Sequence, residues 1–210
     1  MFPLKRGNQM RRLKPYTVTI EPGDLLSAED YAHLLPEPGW HTDLTDGRLI
    51  RMPLVKSARH NWIVTRLAVA LTLHIEAERL GGRITLEQTG YNITREGAPG
   101  ETVWAPDLGY VSAEWVPLLD QAEARETYPP LAPDLVVEVA SMSQFRPELE
   151  EKTRRWIEAG TRLVWNVWLD VQTVDVWTPV GLMSILEEGD ALDGLDVVPG
   201  FSMRVAGRFA

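Results

Sequence analysis

The chain contains no cysteine, so neither a disulfide framework nor a thiolate metal site is available to it. No stretch approaches the roughly 20 successive apolar residues that would span a bilayer, and no membrane association is expected. Residues 1–6 carry Lys5 and Arg6 without an apolar segment behind them, which is not the form of a secretory signal. The cytoplasm is the expected compartment. The Gly-rich phosphate loop, the nucleophile elbow and the dinucleotide fingerprint are all missing. Histidine is scarce as well: His33, His41, His60 and His74 are scattered and show no ligand spacing.

What is present is an ordinary globular composition. Hydrophobic residues make up 44% and charged residues 24% of 210 positions, enough for one domain with a substantial core. We place that domain at residues 25–210, behind a basic lead-in at 1–24. The net charge of −9 argues against tight nonspecific binding of nucleic acid. Its distribution weakens the objection. Lys5, Arg6, Arg11, Arg12 and Lys14 open the chain with no acid among them, and Arg48, Arg51, Lys56, Arg59 and Arg66 form a second acid-free run. These runs are either solvated faces or a local surface for an anionic substrate.

Ser27-Ala28-Glu29-Asp30 has the form of a capping box and opens a short helix ending near Pro36. Residues 40–52 alternate around Asp46-Gly47 and predict a hairpin. A long helix is expected over 57–80, with Ile63, Leu67, Ala70, Leu71 and Ile75 on one face and Gly81-Gly82 as its stop. Strands follow at 83–94, 102–111 and 134–141, with a brief helix near 114–121. A second good helix spans 147–159, opened by Pro147 and closed by Gly160. Further strands are expected at 162–169, 173–178 and 183–186, and Pro199-Gly200 introduces a last extended stretch. The order fits an α/β or α+β domain with one central mixed sheet flanked by helices.

One strand carries a charge where none belongs. Leu135, Val136, Val137 and Val139 read as a strand covered on both faces, yet Glu138 sits among them. A buried carboxylate costs several kcal/mol unless a cation, hydrogen bonds or a proton compensates it. A second acid, Asp107, follows the shorter run Val103-Trp104-Ala105-Pro106. Magnesium and manganese take oxygen ligands, usually one or two carboxylates with water and substrate phosphate. Asp107, Glu138 and the carbonyl of Val139 could supply that set for phosphodiester hydrolysis. Either acid could equally end a strand or pair with an arginine. Lys152 lies fourteen residues past Glu138, where it can point back over the strand end; spacing alone favours an i,i+4 surface pair with Glu148. Glu150-Glu151-Lys152 has the form E-x-K but belongs to a helix face. His60, beside Arg59, is either a phosphate contact or an ordinary helix residue. The tryptophans, among them Trp156, Trp165, Trp168 and Trp177, read as core.

Taken in order, these residues resemble the Uma-two-type restriction endonucleases of the PD-(D/E)XK nuclease superfamily. The likeness runs from Ser27-Ala28-Glu29-Asp30-Tyr31 through Asp43-Leu44-Thr45-Asp46-Gly47-Arg48-Leu49, Met52-Pro53 and His60. It continues through Pro106-Asp107, residues 133–139, Ser141, Ser143, Glu148, Lys152, Trp156, Gly160 and Trp165 to Pro199-Gly200-Phe201. It implies a restriction-endonuclease-like fold and Mg²⁺-dependent cleavage of DNA, with Mn²⁺ as an alternative ion. Asp107 and Glu138 match the metal-binding acids, and Ala140 stands where the superfamily's E-x-K lysine would be. Lys152 matches the family's relocated lysine, and Asp43 an acid more often glutamate. His60, Arg59 and Ser141 fall on the substrate side. Trp156 and Trp168-Leu169 depart from the family's usual tyrosine and Asp-Pro and read as structural. A homodimer stays open. The competing reading is a catalytically inactive binding or assembly module, favoured by the acidic net charge and the shorter acid at position 43.

Overall fold

The computed structural model describes residues 25–34, 38–53, 56–140 and 144–205. Its first half runs α1 (Ala28–Ala32), β1 (Trp40–Thr45), β2 (Arg48–Pro53), α2 (Ala58–Ala77), β3 (Arg83–Leu86), β4 (Tyr91–Asn92), β5 (Val103–Trp104), β6 (Leu108–Val111) and α3 (Val116–Ala124). The second half runs β7 (Leu135–Ala140), α4 (Arg146–Glu158), β8 (Leu163–Trp168), β9 (Thr173–Thr178), β10 (Gly181–Leu186), β11 (Ala191–Asp193) and β12 (Ser202–Arg204).

The principal sheet has six strands in the order β10-β9-β8-β7-β6-β3. It is mixed: β7 and β8 are parallel, bridged by α4, and every other neighbouring pair is antiparallel. Alternation along β7 sorts its side chains onto two faces. Leu135, Val137 and Val139 pack with Ile63, Leu67, Leu71 and Ile75 of α2, while Val136 packs with Trp156 of α4. Helices therefore cover both sides of the central strands, which explains their nearly unbroken apolar sequence. Among the described residues no helix is long and apolar enough to cross a membrane.

The hairpin forms as the alternation predicts, β1 against β2, with Asp46 (φ 51°) and Gly47 (φ 77°) both left-handed in its turn. The long helix ends sooner than its glycines suggest. Arg79 takes the left-handed conformation (φ 55°), and its amide and that of Leu80 return to the carbonyls of Glu76 and Ile75, closing the helix before Gly81 is reached.

Two expected strands, 83–94 and 102–111, each divide in two and serve different sheets. The amide of Thr89 turns back to the carbonyl of Leu86, and Pro106 has no amide to donate, so pairing breaks at both places. The pieces β4 and β5 join the hairpin in a second sheet, β2-β1-β5-β4, that the sequence did not suggest. The pair β11–β12 is a third sheet, of which only β12 was foreseen. The acid-free run from 48 to 66 is divided between β2 and the start of α2. Arg48 and Arg51 lie three apart on β2, so their side chains leave opposite faces. The lead-in at 1–24 lies outside the described residues.

The two larger sheets are stitched by a buried hydrogen bond of 2.6 Å between the Tyr91 hydroxyl of β4 and the Thr85 hydroxyl of β3. Burial pushes the Tyr91 phenol up to about 12, outweighing the opposing pull of that hydrogen bond. The neutral phenol is the form the fold prefers, so its contribution to stability is intact below the ordinary tyrosine value of 10. It is lost as pH rises towards 12, and is on the order of 2 kcal/mol. Urea denaturation across that window should show stability falling with pH, and Tyr91→Phe should flatten the fall. An unchanged slope in the variant would assign the alkaline loss to other groups.

Candidate functional site

Register places a row of polar side chains across the principal sheet, on the face that α4 covers. Glu138 of β7 is opposite Asn166 of β8, and Asn166 is opposite Asp175 of β9. All three are buried. The first turn and one face of α4 answer them in turn. Lys152 Nζ lies 2.8 Å from Glu138 Oε1, and Trp156 Nε1 donates to the same oxygen at 3.0 Å. Asn166 donates to the Thr153 hydroxyl at 2.8 Å. Asp175 accepts from Arg146 and, at 2.8 Å, from Trp168 Nε1. Thus Trp156 and Trp168, expected only to fill space, each donate to a buried carboxylate, with Asp175 Oδ1 left without a hydrogen-bond partner. The surface pair of Lys152 with Glu148 is not what forms; the lysine turns inward to Glu138.

Extending the β6–β7 register by one residue beyond Leu108↔Val137 sets Asp107 opposite Glu138. Asp107 sits at the break that Pro106 creates, where the chain leaves the small sheet for the large one. Its Oδ2 accepts from the Val139 amide at 2.7 Å and faces His60 Nε2 at 3.1 Å. Its Oδ1 accepts from Lys56 Nζ at 2.6 Å. His60 belongs to the buried stripe of α2, one turn before Ile63, and the Ser57 hydroxyl caps that turn through the His60 amide. An N–H and C=O of one strand residue point to the same side, so the Val139 carbonyl also faces Asp107.

Burial pushes the Asp107 carboxyl up, but the His60 hydrogen bond and the Lys56 charge together hold it well below the usual carboxylate range. For Glu138 burial prevails: with the nearby Asp107 charge it raises the carboxyl, against Lys152 and Trp156. Burial works against the Lys152 ammonium, yet the Glu138 charge, with Asp43 and Asp107 behind it, lifts it above the ordinary lysine value. Lys152 is therefore a fixed cation at neutral pH.

Asp43 comes from β1 of the small sheet. It is buried, lies 3.2 Å from His41 Nε2, and lines a cleft of about 520 Å³ together with Thr45, Trp104, Lys152 and Arg155. The small sheet is held over this cleft by Arg155 of α4 pairing with Asp46 at 3.3 Å, and is braced internally by Trp104 Nε1 donating to Thr45 at 2.8 Å. The structure thus gathers Asp107, Glu138, Val139, Lys152 and His60, with Asp43 across the cleft. Arg59 lies a residue before His60, about 100° round the helix, and no described contact brings it in. Ser141 lies outside the described residues. Lys56 was missed as a site residue; its position just before the Ser57 cap was the only local signal.

The donor set suits a hard divalent ion. Two adjacent carboxylates and a backbone carbonyl are all oxygen, and Mg²⁺ or Mn²⁺ commonly takes this number from protein and the rest from water and substrate. No group of three or more His, Cys, Asp or Glu side chains poised for a metal occurs among the described residues.

The family model described as "Uma2: Putative restriction endonuclease" matches residues 28–206. Among solved structures, a "putative nuclease belonging to DUF820" from Anabaena variabilis is similar with a TM-score of 0.68. The identity is 19%, over 88% of this chain and 97% of that one, and the likeness is one of fold. Curated proteins give no match.

The Glu138–Lys152 pair makes a thermodynamic prediction. Lys152→Met strands a buried carboxylate and should cost about 3 kcal/mol or more in denaturant unfolding. Adding Glu138→Gln should restore most of that loss, because the stranded charge is gone. Additive losses in the double variant would mean that the two side chains do not act as a pair.

Proposed function

Since the chain belongs to the Uma2 restriction endonuclease family, we propose that it is a metal-dependent endonuclease that hydrolyses DNA phosphodiester bonds. The observation that carries this reading is the Lys152 ammonium 2.8 Å from Glu138, on the strand beside Asp107. Asp107, Glu138 and the Val139 carbonyl would hold Mg²⁺, with Mn²⁺ as an alternative. When bound, that ion supplies positive charge to the scissile phosphate and makes water a better nucleophile.

The chain's own residues do the rest. His60 and the Val139 amide fix the Asp107 carboxylate in one orientation. Trp156 and Lys152 keep Glu138 ionisable in an apolar strand. Lys152, whose charged form the Glu138 carboxylate favours, serves as a donor to the charge that develops on the phosphate. Asp43 faces Lys152 from the small sheet and limits where its ammonium can go. The cleft has the volume of a small-ligand site and opens beside Lys152, which supports this reading. Arg59, Ser141 and the basic lead-in at 1–24 are assigned to the DNA backbone, residues 25–210 to one domain, and the cytoplasm to the compartment.

One observation favours the competing reading of an inactive binding or assembly module. Both acids already have a lysine within 2.8 Å, so the cluster is charge-satisfied without an ion. Cleavage and metal binding separate the two. Plasmid nicking should require Mg²⁺ or Mn²⁺. Lys152→Ala should abolish it while leaving metal affinity nearly intact, because the lysine is not a ligand. Glu138→Ala should lose both, with circular dichroism confirming that each variant is folded. A fully active Lys152→Ala enzyme would sink the assignment of the lysine, and metal binding that survives Asp107→Ala would sink the site.

A further inference from the structure

Lys56 is a cation at the site that the mechanism above leaves unused. It precedes the cap of α2, and its ammonium has two acidic neighbours. One is Asp107 Oδ1 at 2.6 Å, from a side chain only 6% exposed. The other is Glu87 Oε2 at 3.6 Å, from a side chain 36% exposed. The first is a hydrogen bond and the second only a Coulombic approach. The two oxygens of Asp107 are not equivalent. Oδ2 already serves the Val139 amide and His60, so an incoming cation must use Oδ1, the oxygen that Lys56 holds. At Glu138 the arrangement differs, since Lys152 and Trp156 share a single oxygen, Oε1.

A divalent ion and an ammonium on the same carboxylate oxygen would be within a few ångströms and would repel strongly in this buried setting. One must leave. Glu87 stands where Lys56 can go: it lies on the rim, half-exposed, and a small change in the lysine's side-chain torsions exchanges the buried acceptor for it. We propose that Lys56 is the resident counter-cation of Asp107, displaced towards Glu87 when a divalent ion binds, so that ion uptake is a competition with Lys56. This rests on reading Asp107 and Glu138 as an ion site. It adds that the strength of that site is set by a residue that is not a ligand.

The test is Mn²⁺ affinity, measured by titration calorimetry on the full chain without DNA. Lys56→Met and Lys56→Gln should each bind Mn²⁺ about tenfold or more tightly than the parent; the second keeps a hydrogen-bonding group and guards against misfolding of the first. Glu87→Gln should weaken binding severalfold in the parent and have little effect when combined with Lys56→Gln, because Glu87 acts through the lysine. A merely structural Lys56 would not yield a gain in affinity. Binding that is lost in Asp107→Ala but unchanged or weakened in both Lys56 variants overturns the competition and leaves the ion site standing. Absence of Mn²⁺ binding in the parent and in both Lys56 variants, or binding that persists in Asp107→Ala, overturns the ion site and the competition with it.

Discussion

Burial of the Glu138 carboxylate is the constraint to which the rest of the molecule answers. A charge in the middle of an apolar strand is tolerated only if something polar descends on it, and here that something is α4. The helix cannot satisfy Glu138 alone and leave its neighbours bare. Asn166 and Asp175 continue the same row across the sheet, and Thr153 and Arg146 reach them from the same helix. Three polar contacts at fixed register leave α4 little freedom to slide or rotate. Its apolar anchors, Leu149 and Trp156, fill the intervals. Lys152 is held in place by contacts that are mostly not its own.

The second acid arrives by a different route. Asp107 owes its place to a proline that ends one strand and starts another on a different sheet. The crossing brings the small sheet, with Asp43, over the C-terminal end of β7, and it leaves Asp107 facing the first turn of α2. Five elements therefore meet at one point: β1, α2, the β5–β6 break, β7 and α4. Aromatic contacts hold them there, Trp104 lying edge-on to Trp156 with ring centres 5.7 Å apart. The cations Lys152 and Arg155 lie near the Trp104 ring, at 5.8 and 5.7 Å.

Much of this was legible in the chain. The 3.6-residue period of α2, the left-handed pair Asp46-Gly47 and the two-sided apolar run of β7 each have one physical interpretation, and each formed. The direction of Lys152 did not, because position 152 borders both the buried and the exposed stripe of α4, and only the docked helix decides between Glu148 and Glu138. The family likeness, not the spacing, pointed to the inward choice. His60 was closer to being readable: it continues the Ile63, Leu67, Leu71 stripe by one turn, and a polar residue in such a stripe asks for a partner. Lys56 had no such signal, since its partner lies 51 residues away. The second sheet was hidden because a proline and a turn inside apolar runs look like blemishes in one strand when they are the ends of two.

Position 140 shows how closely packing decides which element can supply the ammonium. Ala140 is buried beneath Leu149 and Trp168, both of which point into the space a longer side chain would need. Placing a lysine at position 140 would require both to shrink, yet Leu149 anchors α4 and Trp168 donates to Asp175. Each of those losses would be felt before the strand lysine could contribute anything. Packing at position 140 and the pairing of Glu138 with Lys152 are thus one arrangement: the strand is filled at that point, and the ammonium comes from the helix.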